Sequence, residues 1–352
     1  MTTYIIRASH ANEFELQNYT PLKETIDLKV VSSLSPLTPI SLPTIRLRSP
    51  SDLPSFPFKK QLLNRLIGGD QWLLGLDELA SIADQPIFHT AETYTPYTHQ
   101  AVVLKREGKL KKLVCTCWET IPHNNEKFRR LKSWKKQAYE YVDLFHTPTK
   151  LAQKALIEEG VDPSKIVVVP YGVKLDRFPP HRPRHQVKNI LFVGRLVEEK
   201  GVGDLVKAWQ ALALPELTLT LVGQGNIHPN LPNLKIRTLS YSEITSAYQS
   251  ADIFVLPSHT SPTWEEQYGM VLVEAMASGL PVIASDSGAI KEVLGGNGLL
   301  YRSADTDELL RLLTRLINDH ALRAKLGSSA RAYAESQYDS TKIAKRLSSF
   351  YL

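Results

Sequence analysis

The stretch Tyr268–Ser285, "YGMVLVEAMASGLPVIAS", changes periodicity part-way along. Gly269 to Gly279 reads as a helix, with Gly279 placed to close it in a left-handed turn. "PVIAS" then reads as a short apolar strand. "DIFVLPS" (Asp252–Ser258), just upstream, reads as another. Strand, helix and strand joined by short connections imply a parallel sheet wrapped by helices. Two acids complicate the picture. Glu274 lies inside the apolar helix and Glu266 shortly before it. An acid in an apolar run needs a partner, because burying an unpaired charge is costly.

Working outward, the alternation continues. "NILFVGRL" (Asn189–Leu196) is an apolar strand with a glycine turn, and "GDLVKAWQAL" (Gly203–Leu212) a helix. "LTLTLVGQG" (Leu217–Gly225) is a second strand and glycine turn. "YSEITSAYQSA" (Tyr241–Ala251) is a helix with Ser240 or Ser242 as its N-cap. This half is therefore expected to be Rossmann-like. The first half is less regular and Pro-rich between Ser32 and Phe58. Its strand candidates are the start of the chain, "QPIFHTAETY" (Gln85–Tyr94), "KLKKLVCTCWETIP" (Lys109–Pro122), "VDLFHTPT" (Val142–Thr149) and "KIVVVPYGV" (Lys165–Val173). A helix after Thr147 or Thr149 should end near Gly160.

At 352 residues the chain exceeds what one core usually serves. The expected division is a first domain over 1–175, a linker over 176–187 and a second domain over 188–337. A final helix, 338–352, is expected to cross back onto the first domain. The linker falls in the Pro-rich, basic stretch "KLDRFPPHRPRHQVK" (Lys174–Lys188). With 43% hydrophobic and 22% charged residues, the composition is that of an ordinary globular protein. No apolar run is long enough to span a membrane, and the N-terminus reads as a strand rather than a signal peptide. Cys115 and Cys117, the only cysteines, share a strand face and are poorly placed to bridge. That favours a reducing, cytoplasmic setting.

The net charge of +6 is uneven. "KREGKLKKL" (Lys105–Leu113) and "KFRRLKSWKKQAY" (Lys127–Tyr139) concentrate it in the first half. These segments are either solvated helix faces or a surface for an anionic partner, such as the cytoplasmic face of a membrane. Zinc spacing, RNP-like aromatics and a recognition-helix pattern are lacking, so nucleic acid is not expected as a partner.

The chemistry concentrates where strands of the second half end. Gly194 lets a group approach the backbone, and Arg195 and Lys200 follow it at the same mouth. Two cations there suit a diphosphate, although they could equally be exposed bases beside Glu198 and Glu199. The first turn of the Gly269 helix, through Met270, Val271 and Leu272, offers free amides and the positive end of the helix dipole. Glu274, about one turn in, is placed to accept from two adjacent hydroxyls, as on a ribose. Glu266, on the other side of the anion site, is placed for hydroxyls beyond the phosphates. Ribose, diphosphate and sugar in that order make a nucleotide-sugar. Asp305-Thr306-Asp307 reads as a helix start rather than a metal site.

Glu266-x7-Glu274 within "YGMVLVEAMASGLPVIAS", together with "VGRLVEEKG", "LVGQG", "SADIFVLPS" and "VVPYGVKLDRF", resembles the signature of the family 4 retaining glycosyltransferases. The likeness is close over Lys165–Tyr301. It implies the α/β GT-B fold, two Rossmann-like domains facing each other across a donor and acceptor cleft. It implies transfer of a hexose, with retention, from a UDP- or GDP-sugar to a glycan, lipid or small-molecule acceptor, without metal or other cofactor. By that likeness Glu266 contacts the donor sugar and Glu274 the ribose. Arg195 and Lys200 neutralise the diphosphate, the amides of Tyr268, Gly269, Met270 and Val271 contact sugar and phosphates, and Leu239 and Ser240 lie beside the nucleobase.

The first domain departs from the family pattern. Its first loop, "RASHANEFELQNYTPL", has no glycine, leaving Asn12, Glu15 and Tyr19 as ligand contacts or as ordinary helix-capping and packing residues. "FHTAET" keeps His89 but has Ala91 where relatives often carry a second histidine. His89, Glu92, Glu119 and His123 are the polar candidates on the acceptor side. These departures leave open a non-catalytic protein that binds nucleotide-sugars.

Overall fold

The computed structural model describes every residue of the chain except Arg182. The chain forms two compact units, one of Met1–Pro170 with Ile343–Leu352, the other of Tyr171–Lys342.

In the first unit, strands β1 (Thr2–Ala8), β2 (Asp27–Ser32), β3 (Thr44–Arg46), β4 (Ile87–Ala91), β5 (Lys112–Thr116), β6 (Leu144–Thr147) and β7 (Ile166–Val168) form one parallel sheet. Their order is β3-β2-β1-β4-β5-β6-β7. Its helices are α1 (Glu13–Leu16), α2 (Lys59–Ile67), α3 (Leu76–Ile82), α4 (Pro96–Arg106), α5 (Arg129–Tyr141) and α6 (Lys150–Glu158). In the second unit, β8 (Asn189–Val193), β9 (Thr218–Val222), β10 (Leu234–Arg237), β11 (Ile253–Leu256), β12 (Val282–Ser285) and β13 (Leu299–Tyr301) form a parallel sheet ordered β10-β9-β8-β11-β12-β13. Its helices are α7 (Val202–Leu212), α8 (Ile244–Ser250), α9 (Met270–Ala277), α10 (Ile290–Leu294), α11 (Thr306–Asn318) and α12 (His320–Gln337), and α13 (Ser340–Leu347) follows.

Both sheets reverse direction after their first strand, which is the doubly wound Rossmann arrangement. Each therefore has a switch point, between β1 and β4 and between β8 and β11. A crevice opens there at the carboxyl ends of the strands. The central strands are apolar almost throughout because helices cover both faces. Helix α9 is apolar all round, with every residue from Leu272 to Ala277 buried, so Glu274 is carried into the core with its neighbours.

Several local expectations are revised. The proposed linker 176–187 is packed onto the second unit. Phe178 is fully buried, Arg331 donates to its carbonyl at 2.5 Å, and Arg184 pairs with Asp252 at 3.1 Å. Arg182 of that segment lies outside the described residues. Helix α8 begins after Glu243, whose carboxylate accepts from the Ser240 amide and hydroxyl, so neither Ser240 nor Ser242 is its cap residue. Thr149 caps α6 and Asp305 caps α11. Part of the basic charge is neutralised internally. Lys105 pairs with Asp143 at 2.8 Å, and the buried Lys135 with Glu159 at 2.5 Å. Cys115 and Cys117 are buried free thiols.

A polar relay runs through the first unit's core. His146 Nε2 lies 2.7 Å from the Val169 carbonyl. A carbonyl only accepts, so that nitrogen carries the proton and His146 Nδ1 accepts. Thr116 then donates to His146 Nδ1 across 3.0 Å and accepts from His89 Nε2 across 2.7 Å. That leaves His89 Nδ1 to accept from the Tyr351 hydroxyl at 2.6 Å. The end of the chain is thereby fixed to β4, with Phe350 and Tyr351 both buried.

Burial holds both imidazoles neutral, His146 down to about 4 and His89 well below its ordinary value. Histidines of the unfolded chain titrate near 6.5, so below that pH the unfolded state takes up protons that the folded state refuses. Folding stability should be full above about pH 6.5 and fall as the pH drops toward about 4. Thr116→Val removes the middle of the relay and should lower stability by about 1–3 kcal/mol. Denaturant titrations of both proteins at pH 7.5, 6 and 5 check both statements.

Candidate functional site

Three loops meet at the carboxyl ends of β8, β11 and β12. The β8 loop crosses directly over the β11 loop at Gly201. A Cβ added to Gly201 would stand 1.8 Å from the Pro257 carbonyl oxygen, and its φ of +65° is one that glycine adopts without strain. The crossing is reinforced by the His259 amide, which donates to the Glu199 carbonyl at 2.8 Å. The His259 ring also meets Asp204 at the start of α7, at 2.7 Å. Ser287, after β12, donates to the His259 carbonyl at 2.6 Å and receives the Glu266 amide at 3.2 Å.

This scaffold brings Lys200 and Glu266 together. Lys200 Nζ lies 2.6 Å from Glu266 Oε2, which also accepts from the Ser258 hydroxyl at 2.7 Å. The Glu266 side chain is 9% exposed and that of Lys200 15%. The ammonium also stands 5.2 Å from the Trp264 ring centre. Arg195, on the same loop, is exposed and has no ion pair among the described residues. Gly194, at the strand end, has a φ of +155°.

A few residues past Glu266, Gly269 takes a left-handed conformation at the head of α9. The Tyr268 side chain turns inward and its hydroxyl donates to the Tyr171 carbonyl. Met270 and Val271 are half-buried in the first turn. The Leu272 amide donates to the Gly269 carbonyl at 2.8 Å, while a helix offers no partner of its own to the amides ahead of it, those of Met270 and Val271. Glu274 is 4% exposed and accepts from the Tyr248 hydroxyl at 2.6 Å. Burial raises its carboxyl to about 7, against the lowering effects of that hydrogen bond and of the Arg177 charge. Arg177 itself stacks 3.7 Å from the Tyr241 ring centre. Leu239 is half-buried and Ser240 exposed in the loop before α8.

Sequence reasoning missed Ser258, Tyr248 and Arg177. Ser258 and Arg177 lie inside quoted motifs, so position in a motif was a usable signal. Tyr248 had none beyond an aromatic on the inner face of a predicted helix.

In the first unit most acceptor-side candidates are committed to the fold. Asn12 caps α1 by accepting from the Glu15 amide at 2.9 Å. Glu15 forms a buried pair with Arg7 at 2.6 Å. His89 has both ring nitrogens engaged in the relay, and Tyr19 packs edge-on against it. Glu119 accepts from the amides of Thr120 and Ile121 and from the side chains of Asn124 and Asn125, which organises its loop. His123 pairs with Glu126 at 2.9 Å. Asn12, Glu15, Glu119 and His123 find partners close by in the chain, and His89 finds its own on β5 and at Tyr351, so these residues belong to caps, loops and the core.

Glu92 differs. It follows β4 at the switch point, with a left-handed φ of +59° that is uncommon for a residue with a side chain. Its Oε1 accepts from the Trp118 amide at 2.8 Å, while Oε2 makes no hydrogen bond among the described residues. Burial raises the carboxyl to about 8.

Gly201→Ala tests the loop crossing. A Cβ cannot coexist with the Pro257 carbonyl, so the β8 loop must lift and the Lys200–Glu266 pair must open. The variant should melt several degrees lower, consistent with a loss of about 1–3 kcal/mol. Gly203→Ala, where a Cβ meets nothing within 4 Å, should melt near wild type. Thermal unfolding of the two variants checks this.

Likeness to known proteins bears on the family and the fold. A family model described as Glycosyltransferase Family 4 matches residues 46–177, and one described as Glycosyl transferases group 1 matches 187–319. A GDP-mannose-dependent monoacylated alpha-(1-6)-phosphatidylinositol monomannoside mannosyltransferase of Corynebacterium glutamicum is 31% identical over 205 residues, covering 51% of this chain and 54% of that protein. An MMP alpha-(1->4)-mannosyltransferase of Mycolicibacterium hassiacum is 30% identical over 234 residues, covering 62% and 55%. The chain thus spans about half the length of these two relatives. Among solved structures, sucrose-phosphate synthase of Thermosynechococcus elongatus aligns with a TM-score of 0.77 at 18% identity, covering 100% and 98% of the two chains. Anabaena Alr3699/HepE, in complex with UDP-glucose, aligns at 0.76 and 18%, covering 99% and 98%. At such identity these likenesses concern the fold, which is GT-B, while the two family matches fall in series on the two halves of the chain: it belongs to the family 4 glycosyltransferases.

Proposed function

We propose that this protein transfers a hexose from a UDP- or GDP-sugar to an acceptor hydroxyl, with retention of anomeric configuration and without a metal. The observation that carries this reading is the Lys200–Glu266–Ser258 cluster beside the head of α9, at the switch point of the second sheet. That crevice is where Rossmann-type sheets bind nucleotides. The names of the relatives point the same way, with GDP-mannose in one and UDP-glucose bound in another protein of the fold.

In this reading the diphosphate lies against the α9 amides, Arg195 and Lys200. The sugar–phosphate bond breaks with its electron pair moving onto the diphosphate. The acceptor oxygen bonds to the anomeric carbon and releases its proton, which the departing diphosphate or solvent takes up. Fixed cations and amides stabilise the charge where it develops, which lowers the barrier without solvent reorganisation. Lys200 is held by Glu266 before substrate arrives, so it is already oriented. Glu266 directs its carboxylate at the sugar and Glu274 at the ribose, where an ionised carboxylate accepts from two hydroxyls. Leu239 and Ser240 flank the base.

On the acceptor side, Glu92 is the candidate with an open carboxyl oxygen. Protonated near neutral pH, it can both donate to and accept from an acceptor hydroxyl. Contact of the basic first unit with an anionic cytoplasmic membrane face fits a glycan or lipid acceptor; a soluble acceptor is the rival.

Release of nucleoside diphosphate from a panel of nucleotide-sugars, with and without extract as acceptor, tests the activity. Turnover that persists in EDTA is expected. Donor binding without turnover under any condition would favour a non-catalytic binding protein. Glu266→Gln should lower kcat at least ~100-fold with a small effect on nucleotide Kd, and Glu274→Ala should weaken nucleotide binding by about ten-fold or more. Because ribose binding needs Glu274 ionised, nucleotide affinity should rise with pH through about 7. Tyr248→Phe removes a hydrogen bond that favours the carboxylate and should move that midpoint upward. Calorimetric titrations with UDP and GDP between pH 6 and 8.5 check the direction.

A further inference from the structure

The first unit has a surface that its own fold leaves uncovered. Helix α2 has no buried residue. Leu62 and Leu66 lie one turn apart on one of its faces, and Phe58 stands a turn before them at the helix start. Phe58 is 76% exposed, Leu62 46% and Leu66 59%. The strip runs into a groove of about 530 Å³ whose walls include Leu66, Trp72, Leu74 and Trp134. The two indoles meet edge to face, 5.7 Å apart. Arg130 of α5 donates to the Leu66 carbonyl at 2.8 Å and ties the two helices together.

Scattered exposed leucines are ordinary, but a continuous run ending in an aromatic groove is not. The charge around it is of one sign where it is free. Lys60 and Arg65 on α2, and Arg129 and Lys136 on α5, are exposed and have no acidic partner among the described residues. Large apolar groups beside tryptophans, bordered by unpaired Lys and Arg, match the needs of a helix lying in a membrane interface. The apolar strip enters the headgroup–acyl boundary while the cations meet lipid phosphates.

We propose that α2 and the adjoining Trp72–Trp134 groove dock the first unit onto an anionic lipid bilayer, with Phe58, Leu62 and Leu66 as the inserted groups. This deepens the membrane contact suggested above. It places attachment on an apolar strip that the basic segments only surround, so binding should resist salt in part. Attraction between exposed charges alone is largely screened at high ionic strength.

The test is co-sedimentation of the full chain with vesicles of phosphatidylcholine and phosphatidylglycerol, and of phosphatidylcholine alone, at low salt and at about 0.5 M salt. The expected result is partition onto the anionic vesicles at least ~10-fold above the neutral ones, with a measurable fraction retained in high salt. Replacing the strip by Phe58→Ser, Leu62→Ser and Leu66→Ser should cut partition about ten-fold at both salt levels while leaving the melting temperature near wild type, since these side chains are already exposed. Lys60→Glu with Arg65→Glu should lose mainly the low-salt component.

Three results overturn the proposal. One is no binding of wild type to anionic vesicles at low salt. Another is a triple variant that binds as wild type does. The third is a concentration-dependent dimer in sedimentation velocity that the triple variant abolishes, which would assign the strip to a second copy of the chain. The vesicle assay contains no nucleotide-sugar, so its failure and a failure of the transferase reading are separate outcomes.

Discussion

The candidate site rests on one close approach. The chain after β8 passes so near the Pro257 carbonyl that only glycine fits at position 201. The contact fixes the height of the β8 loop above the sheet, and so the position of Lys200, whose ammonium reaches Glu266 and Trp264. Glu266 in turn is held by Ser258 and Ser287, from loops that follow two other strands. Each polar group is fixed by a backbone that is itself fixed by the sheet. A site that stabilises charge as it develops needs this property, because donors that must reorganise at the moment of reaction lose much of their effect.

The two acids that draw attention in the sequence turn out to be handled differently. Glu266 is buried and compensated by a cation and a hydroxyl. Glu274 is buried in an apolar helix and compensated chiefly by one phenol, with its carboxyl raised to about 7. One acid has an opposite charge to balance it, while the other stands at the edge of protonation. In the first unit the same desolvation acts on His89 and His146, which stay neutral and serve as links between Tyr351 and Val169. There, burial makes histidines into structural hydrogen-bonding groups.

The strip on α2 was not visible from its charge. The basic segments that attract notice in the sequence are partly used up by Asp143, Glu126 and Glu159. The exposed apolar line starts instead where the Pro-rich region ends and runs along α2, and only the accessible surface reveals that Phe58, Leu62 and Leu66 find no cover.

What the sequence determined by itself was the alternation of apolar strand, glycine turn and amphipathic helix, and with it the Rossmann-like second half and the positions of Glu266, Gly269 and Glu274 along it. Those features repeat over a few residues, where local geometry governs. Short strands without a fully buried residue, such as β3 and β10, escaped because their side chains carry no alternating burial pattern. The tertiary structure decided the rest. It paired Lys200 with Glu266 across 66 residues and Tyr248 with Glu274 across 26. It also tied His89 to Thr116 and Tyr351 in a relay, and left Glu92 with an open oxygen among the described residues. Partners so distant in sequence are chosen by strand order, and strand order sets which loops share a crevice.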